Sequence, residues 1–271
     1  MKLDSLNWNV EKVQLFDGVT PTPFYATKRM DTGLHLGIVA KNYALLQNSE
    51  VLEVCNRICG QMGYELHSGH AINGGKRTLL SVKTGNVKVA DDNIISQISI
   101  TNSFDRSSGI ALSFIDTISR CSNEFSRIIK NKAFSFEHNS LMKMRIEDIV
   151  SKIELLNKYK EEHYNNLERF VNTSITKDLS LKAISEVLDM EFESENNGNL
   201  LSFNEDISTR KKNQFLQFVD CWEIEQKDLD DTLYCLVNSA TRYSTHVLNQ
   251  VYFGKGQEIS NKIYDKCLQL I

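Results

Sequence analysis

The sequence predicts an α+β protein, with an antiparallel sheet of hairpins flanked by helices in the first half and a helical second half. Three observations carry this expectation. Both prolines, Pro21 and Pro23, and most glycines precede Ile110, whereas Gly198 stands alone between Ile110 and Phe253, so the first half reverses direction often and the second does not. Apolar residues alternate in the first half, as in Leu36, Ile38 and Ala40. Later they recur at three- and four-residue spacing, as in Ile146, Ile149, Val150, Ile153 and Leu156. A single division is expected, with an α+β domain over 1–140 and a helical region over 141–271.

Taken in order, the elements begin with a strand over His35–Ala40, after a turn at Asp31-Thr32-Gly33. Glu50–Met62 has helical periodicity and stops at Gly63. Its face carries Val51, Cys55, Ile58, Cys59 and Met62, which makes both thiols core residues rather than metal ligands. Tyr64–Ser68 and Arg77–Val82 read as strands about the Asn73-Gly74-Gly75 loop, because glycine accepts positive φ. Gly85-Asn86 offers a second turn before Val87–Val89. Ile98 and Ile100 alternate on one side of TNSFDRSSGI (Thr101–Ile110), and Ile110, Leu112 and Phe114 on the other. That stretch is therefore a hairpin tip, polar because its backbone groups need water or short side chains.

Ser119–Asn131 reads as a helix with Phe125, Ile128 and Ile129 inward, and Met144–Val171 as a longer one. Lys160 and His163 interrupt the longer stripe, which favours packing on the protein's own body over a coiled coil. Further helical patterns lie around Ala183–Leu188, Phe215–Trp222 and Leu233–Leu248, and SENNGN (Ser194–Asn199) is a linker or loop. A last helix with Ile259, Ile263, Cys267 and Leu270 follows Gly254-Lys255-Gly256.

With 41% hydrophobic and 24% charged residues among 271, the composition is that of a folded water-soluble chain. No apolar run approaches the roughly 18–20 residues of a membrane span, and MKLDSLNWNV lacks a signal peptide's apolar core, so a cytoplasmic location is expected. The formal charge of −4 and pI near 5.9 argue against indiscriminate coating of nucleic acid. Charge is nevertheless segregated. Lys76, Arg77, Lys83 and Lys88 meet no acid between His70 and Ala90, and Arg120, Arg127, Lys130, Lys132, Lys143 and Arg145 meet few, while Glu186, Asp189, Glu191, Glu193, Glu195, Glu205 and Asp206 crowd a later segment.

No motif in the sequence obliges catalysis or a cofactor. GxxxxGK[ST] is absent, GKGQEIS reads as a helix-start loop, and His67-Ser-Gly-His70 has no cysteine or carboxylate motif to complete a metal site. Adjacent Asp105 and Arg106 point to opposite faces of extended chain, and no histidine lies near Ser107 or Ser108 in sequence. Neither catalysis, a cofactor nor a metal is expected. Lysine and arginine on hairpins, with Tyr43, Tyr64 or Phe104 for stacking, would suit a groove that follows a phosphate backbone.

Several segments, GLHLGIVAKNYALLQNSEVLEV, GHAINGGKRTLLSV, TNSFDRSSGI, CSN at Cys121–Asn123, SFEHNS around His138, LVNSATRYSTHVL and FGKGQEISNKIYDKCLQL, resemble a phage/plasmid-like family catalogued as a domain of unknown function (DUF932 type). Arg106 stands where that family usually has glycine. The resemblance implies a gene of a phage or mobile element and carries no reaction. By order of elements alone the first half is also similar to phage single-strand-annealing recombinases. The expectation is a homo-oligomeric protein that binds single-stranded DNA non-specifically and promotes annealing or recombination. Its contacts would be Lys76, Arg77, Lys83 and Lys88 on the hairpins, Arg106 at the tip, and Arg120, Arg127, Lys130 and Lys132 on the following helix. The alternative is an interaction protein that inhibits or redirects a host factor through the acidic Glu186–Asp206 region.

Overall fold

The computed structural model describes residues 6–128, 134–195, 200–203 and 206–271. The chain opens with a three-stranded antiparallel sheet, β1 (Val10–Asp17), β2 (Thr20–Arg29) and β3 (His35–Ala40), in the order β1-β2-β3. The central strand contains both prolines. They are tolerated because β3 pairs with β2 only from Phe24 onward, which leaves Pro21 and Pro23 with β1 as sole neighbour. Val13, Ala26 and Ile38 are in register and share one face, on which Val13 is 41% and Ile38 61% exposed. The other face looks inward. Val39 is fully buried, Thr27 donates to the Phe104 carbonyl at 2.7 Å, and Gly37 approaches so closely that a Cβ there would lie 2.6 Å from Asp105 Cα.

Helix α1 (Asn48–Met62) matches its expected bounds within two residues. Glu50 accepts from the Gln47 backbone N–H at 2.8 Å, and the Gln47 side chain bonds both backbone groups of Val10 at 2.9 and 3.0 Å. The helix stops at Gly63, whose φ of 66° only glycine adopts without cost. Cys55 is fully buried in the core, and burial pushes its thiol up to about 12. Cys59 packs against the same cluster.

A six-stranded antiparallel-paired sheet follows, built from β4 (Glu65–Ile72), β5 (Arg77–Val89), β6 (Asp92–Ser103), β7 (Ile110–Ile118) and β8 (Glu124–Ile128), ordered as numbered, with β9 (Ser135–Phe136) also pairing β7. The β4–β5 turn is one 3₁₀ turn over Asn73–Gly75 with Gly74 at φ 73°. TNSFDRSSGI is the β6–β7 tip, as its flanking alternation requires. Two expectations fail here. No turn forms at Gly85-Asn86, because Gly85 at φ 142° carries β5 straight through and the reversal comes at Ala90, φ 50°. The described part of Ser119–Asn131 is not a helix: Ser119–Cys121 turn, and Glu124–Ile128 form β8, while the last three residues of that range lie outside the described residues. Phe125 and Ile128 mimic a helical spacing, yet Phe125 and its neighbour Ser126 are both buried, as happens in a strand covered on two faces.

The remainder is mostly helical. The long pattern after Met144 is two helices, α2 (Met142–Ser151) and α3 (Ile153–Val171), parted at Lys152, whose φ and ψ of −107° and 21° leave the helical region. α4 (Lys177–Val187) is capped by Thr176, α5 (Thr209–Glu225) by Ser208, and α6 (Leu233–Arg242) by Thr232, each side chain accepting a backbone N–H of the first turn. α6 continues into one π-helical turn over Tyr243–Val247. GKGQEIS starts α7 (Lys255–Gln269), as read. SENNGN joins β10 (Phe192–Glu195) to β11 (Leu200–Phe203), a hairpin with no counterpart in the sequence reading; its centre lies outside the described residues.

Contacts divide the chain into two units. Unit 1 comprises Met1–Gly85, Ser96–Ile115 and Ile128–Tyr159; unit 2 comprises Asn86–Ile95, Asp116–Arg127 and Lys160–Ile271. Each has its own core. In unit 1 it gathers Trp8, Leu46, Ile58, Ile100, Phe104, Phe134 and Ile149; in unit 2, Phe170, Phe215, Phe218, Trp222, Tyr243 and Tyr264.

Candidate functional site

In unit 1 the β4–β5 turn and the β6–β7 tip are bound together. Phe104 N donates to the Lys76 carbonyl at 2.8 Å, and Arg77 Nε donates to Ser107 Oγ at 2.7 Å. The tip holds its own shape, since the backbone N–H of Ser107 donates to Asp105 Oδ1 at 3.0 Å and its hydroxyl bonds the same oxygen. This Asx turn puts Arg106 at φ 65°, exposed. Lys76, Arg77 and Arg106 thus share two joined turns. Arg29 reaches the same turn, donating to the Gly74 carbonyl at 3.0 Å, with its guanidinium 4.1 Å from the Trp8 ring; its charge is matched by Asp31 at 2.6 Å.

The other expected cations are not in this group. Lys83 stands opposite Glu65 in the β4–β5 register, where an acid offsets it. Lys88 is in unit 2, exposed, 3.9 Å from Asp91. Arg120 meets three carboxylates, Asp92 at 2.9 Å, Glu225 at 3.3 Å and Asp228 at 2.6 Å. Partial burial works against its charge, but the hydrogen bond and charge of Asp92 and the charge of Glu225 outweigh it and hold the guanidinium protonated more firmly than usual. Arg127 pairs with Asp265 at 3.0 Å and lies 4.0 Å from the Tyr264 ring. Lys130, Lys132 and Glu205 lie outside the described residues, as do the side chains of Glu193 and Glu195. Of the expected stacking rings, Phe104 is fully buried and Tyr43 nearly so, which removes both from contact with bases.

Beside the joined turns is a cavity of about 460 Å³, lined by Ala40, Asn42, Tyr43, Arg106, Ser108, Gly109, Glu137, His138 and Asn139. It collects three segments far apart in sequence: the loop after β3, the β6–β7 tip, and the stretch after β9. Their close approach needs glycine. A Cβ on Gly109 would lie 2.8 Å from the Phe136 carbonyl. His138 is 8% exposed, stacked on Tyr43 with centroids 4.6 Å apart, and its Nδ1 is 3.0 Å from the Ala44 carbonyl. A carbonyl only accepts, so Nδ1 carries the proton and Nε2 presents a lone pair. Burial lowers the imidazole's affinity for a second proton, with the Ala44 hydrogen bond opposing. Burial likewise pushes the Tyr43 phenol up to about 12, and its hydroxyl donates to the Ser103 carbonyl at 2.8 Å.

Two groups on this lining are buried without a hydrogen-bond partner among the described residues, His138 Nε2 and Ser108 Oγ. They are therefore not bonded to one another, and His138 is oriented by a carbonyl rather than a carboxylate. A serine–histidine–acid relay is not assembled here. Of these residues the sequence singles out Arg106 as a phosphate contact and Tyr43 as a stacking ring. The signal for the rest lay in the segments KNYA, SSGI and FEHNS, whose convergence is a tertiary fact.

Unit 2 has a second polar cluster. Glu225, fully buried, accepts from Arg242 Nε at 2.6 Å, Asn123 Nδ2 at 3.0 Å and Arg120 at 3.3 Å. Asn123 Oδ1 lies 2.9 Å from His246 Nε2 on the π-helical turn, and Tyr234 donates to Asp92 at 3.0 Å. CSN and LVNSATRYSTHVL meet here. Nearby in the fold of the same unit, His163 bridges Asp116 (2.6 Å) and Tyr264 (2.9 Å), which explains why a polar residue interrupts the α3 stripe.

Among the described residues no group of three or more His, Cys, Asp or Glu side chains could hold a metal, and no helix is long and apolar enough to cross a membrane. Comparison with curated proteins gave no match, and comparison with solved structures gave none. A family model does match, over residues 35–262, a span that holds both polar clusters. The chain belongs to the family described as Domain of unknown function (DUF932).

Proposed function

We propose that unit 1 binds single-stranded nucleic acid along the edge formed by its two joined turns. One observation carries the reading: Lys76, Arg77 and Arg106 sit on turns tied by the 2.8 Å and 2.7 Å bonds described above. The bonds hold the backbones that carry these cations, and the Arg77 guanidinium itself, in place before phosphate is met, which reduces the ordering that binding requires. Lys83, Arg120 and Arg127 have acids opposite or against them and are left out of the contact. The surface follows phosphate and reads no bases, consistent with its lack of an exposed aromatic among the residues expected to stack. A role in strand annealing or recombination, in a phage or mobile element, is the setting this reading supposes.

The test is fluorescence anisotropy with a labelled oligothymidylate between 50 and 200 mM salt. A footprint of three phosphates gives a slope of log K against log salt of about −2, whereas nine cations would give roughly −6. The combined variant Lys76→Ala, Arg77→Ala, Arg106→Ala abolishes the salt-dependent binding. Absence of affinity at 50 mM salt, or a slope unchanged by the triple variant, overturns the reading. A competing reading, a protein that docks on a host factor, is favoured by the exposed apolar face at Val13, Phe24 and Ile38; a stoichiometric partner recovered from lysate after nuclease treatment would support it.

A further inference from the structure

The cavity differs from an ordinary surface dimple in its chemistry. Buried polar groups in native proteins are nearly always paired, and each exception calls for an explanation. Among the described residues eight buried side-chain atoms are such exceptions, and two of them, His138 Nε2 and Ser108 Oγ, belong to residues lining one cavity, although each lies in a separate segment. Leaving both unpaired costs about 1–3 kcal/mol apiece.

The missing partner can be described from the groups that await it. His138 Nε2 offers a lone pair and needs a donor. Ser108 Oγ both donates and accepts. Arg106, on the same lining, needs an anion, Asn42 and Asn139 add amides, and Glu137 adds a carboxylate that accepts from a hydroxyl or an amine. A molecule that carries a hydroxyl near an anionic group meets all of these demands. The volume of about 460 Å³ falls in the range of roughly 300–1,000 Å³ typical of small-molecule sites, and one nucleotide fits within it.

We propose that the cavity takes a single nucleoside phosphate, with a sugar hydroxyl on His138 and Ser108 and the phosphate at Arg106. This rests on the nucleic-acid reading for its source, which would be the terminal nucleotide of a bound strand, but not for its chemistry, which a free nucleotide shares. Both orphaned atoms are closed to water, so entry of the hydroxyl must part the packing around them.

The experiment compares three probes on the full chain: deoxyadenosine monophosphate, an oligothymidylate ending in a 3′-hydroxyl, and the same strand ending in a 3′-dideoxynucleotide. The expected result is at least about tenfold tighter binding of the hydroxyl-ended strand, the loss of one buried hydrogen bond being worth that factor. The preference should vanish in Ser108→Ala and in His138→Phe; the serine variant keeps the test valid should the histidine variant fail to fold. Equal binding of both strands, with no measurable binding of the mononucleotide, overturns the cavity assignment and leaves the phosphate edge standing. Binding of the mononucleotide alone, lost in Ser108→Ala, supports the cavity and overturns the edge. No binding of any probe overturns both.

Discussion

The two polar clusters are made of the same materials and have opposite finish. Around Glu225 in unit 2 there are two arginines, an asparagine and a histidine, and each is bonded: Arg120, Arg242 and Asn123 to the carboxylate, His246 to Asn123. Around the unit 1 cavity there are an arginine, two asparagines, a serine, a histidine and a glutamate, and two of the buried polar atoms have no partner. A network closed on itself spends its hydrogen bonds on the fold. One left open keeps them for a ligand.

Mutations can break or sharpen that contrast. Glu225→Ala should have the largest effect, about 3–5 kcal/mol, because it strands arginines and Asn123 against an interior site; urea denaturation should show it, with hydrogen exchange rising first in α5 and α6. If unit 2 tolerates the change, the closed network is not what holds it. Gly37→Ala comes next. Its Cβ would strike the Asp105 backbone, and overpacking of that kind costs about 1–3 kcal/mol. Oligonucleotide affinity should fall with it, since β3 and the tip both frame the cavity.

A smaller effect is expected from acid. Burial depresses the folded-state affinity of His138 for its second proton below the ordinary value of 6.5, so the unfolded chain binds that proton first. The stability tied to a neutral His138 is present above about pH 6.5 and is lost as pH falls through the lower folded value. Thermal melts between pH 7 and 5 should show this loss, and His138→Phe should flatten it. Ser108→Ala has the smallest effect and the most telling sign. Removing an orphaned hydroxyl should leave stability unchanged or raise it by up to about 1 kcal/mol, while strand-end preference disappears. A clear destabilisation would mean that the hydroxyl is paired in solution and the contrast between the clusters is false.

Much of the fold was legible because local signals sufficed. Gly63 ended α1, Asn73-Gly74-Gly75 turned β4 into β5, and the alternation on either side of TNSFDRSSGI marked a hairpin. What escaped was non-local. β8 reads as a helix in the sequence because the partners that fix its surroundings, Glu225 for Asn123 and Asp265 for Arg127, lie more than 100 residues away. The prolines concealed β2, whose unpaired stretch only the register reveals. Charge segregation in the sequence located cations but not their counterions, so Arg120 looked free and is the most heavily paired of them. The same limit applies to the site: each of its three segments reads as an unremarkable polar loop until Gly37 and Gly109 let them close on one another.

Arg106 has a practical consequence for anyone who engineers this protein. Its backbone sits where glycine is at ease and other residues are strained by about 1 kcal/mol or more. A campaign that screens only for heat tolerance or expression yield would therefore drift toward glycine at this position. The product would be a hardier protein with the exposed positive charge of its hairpin tip erased, and an assay of folding alone would record the loss as an improvement.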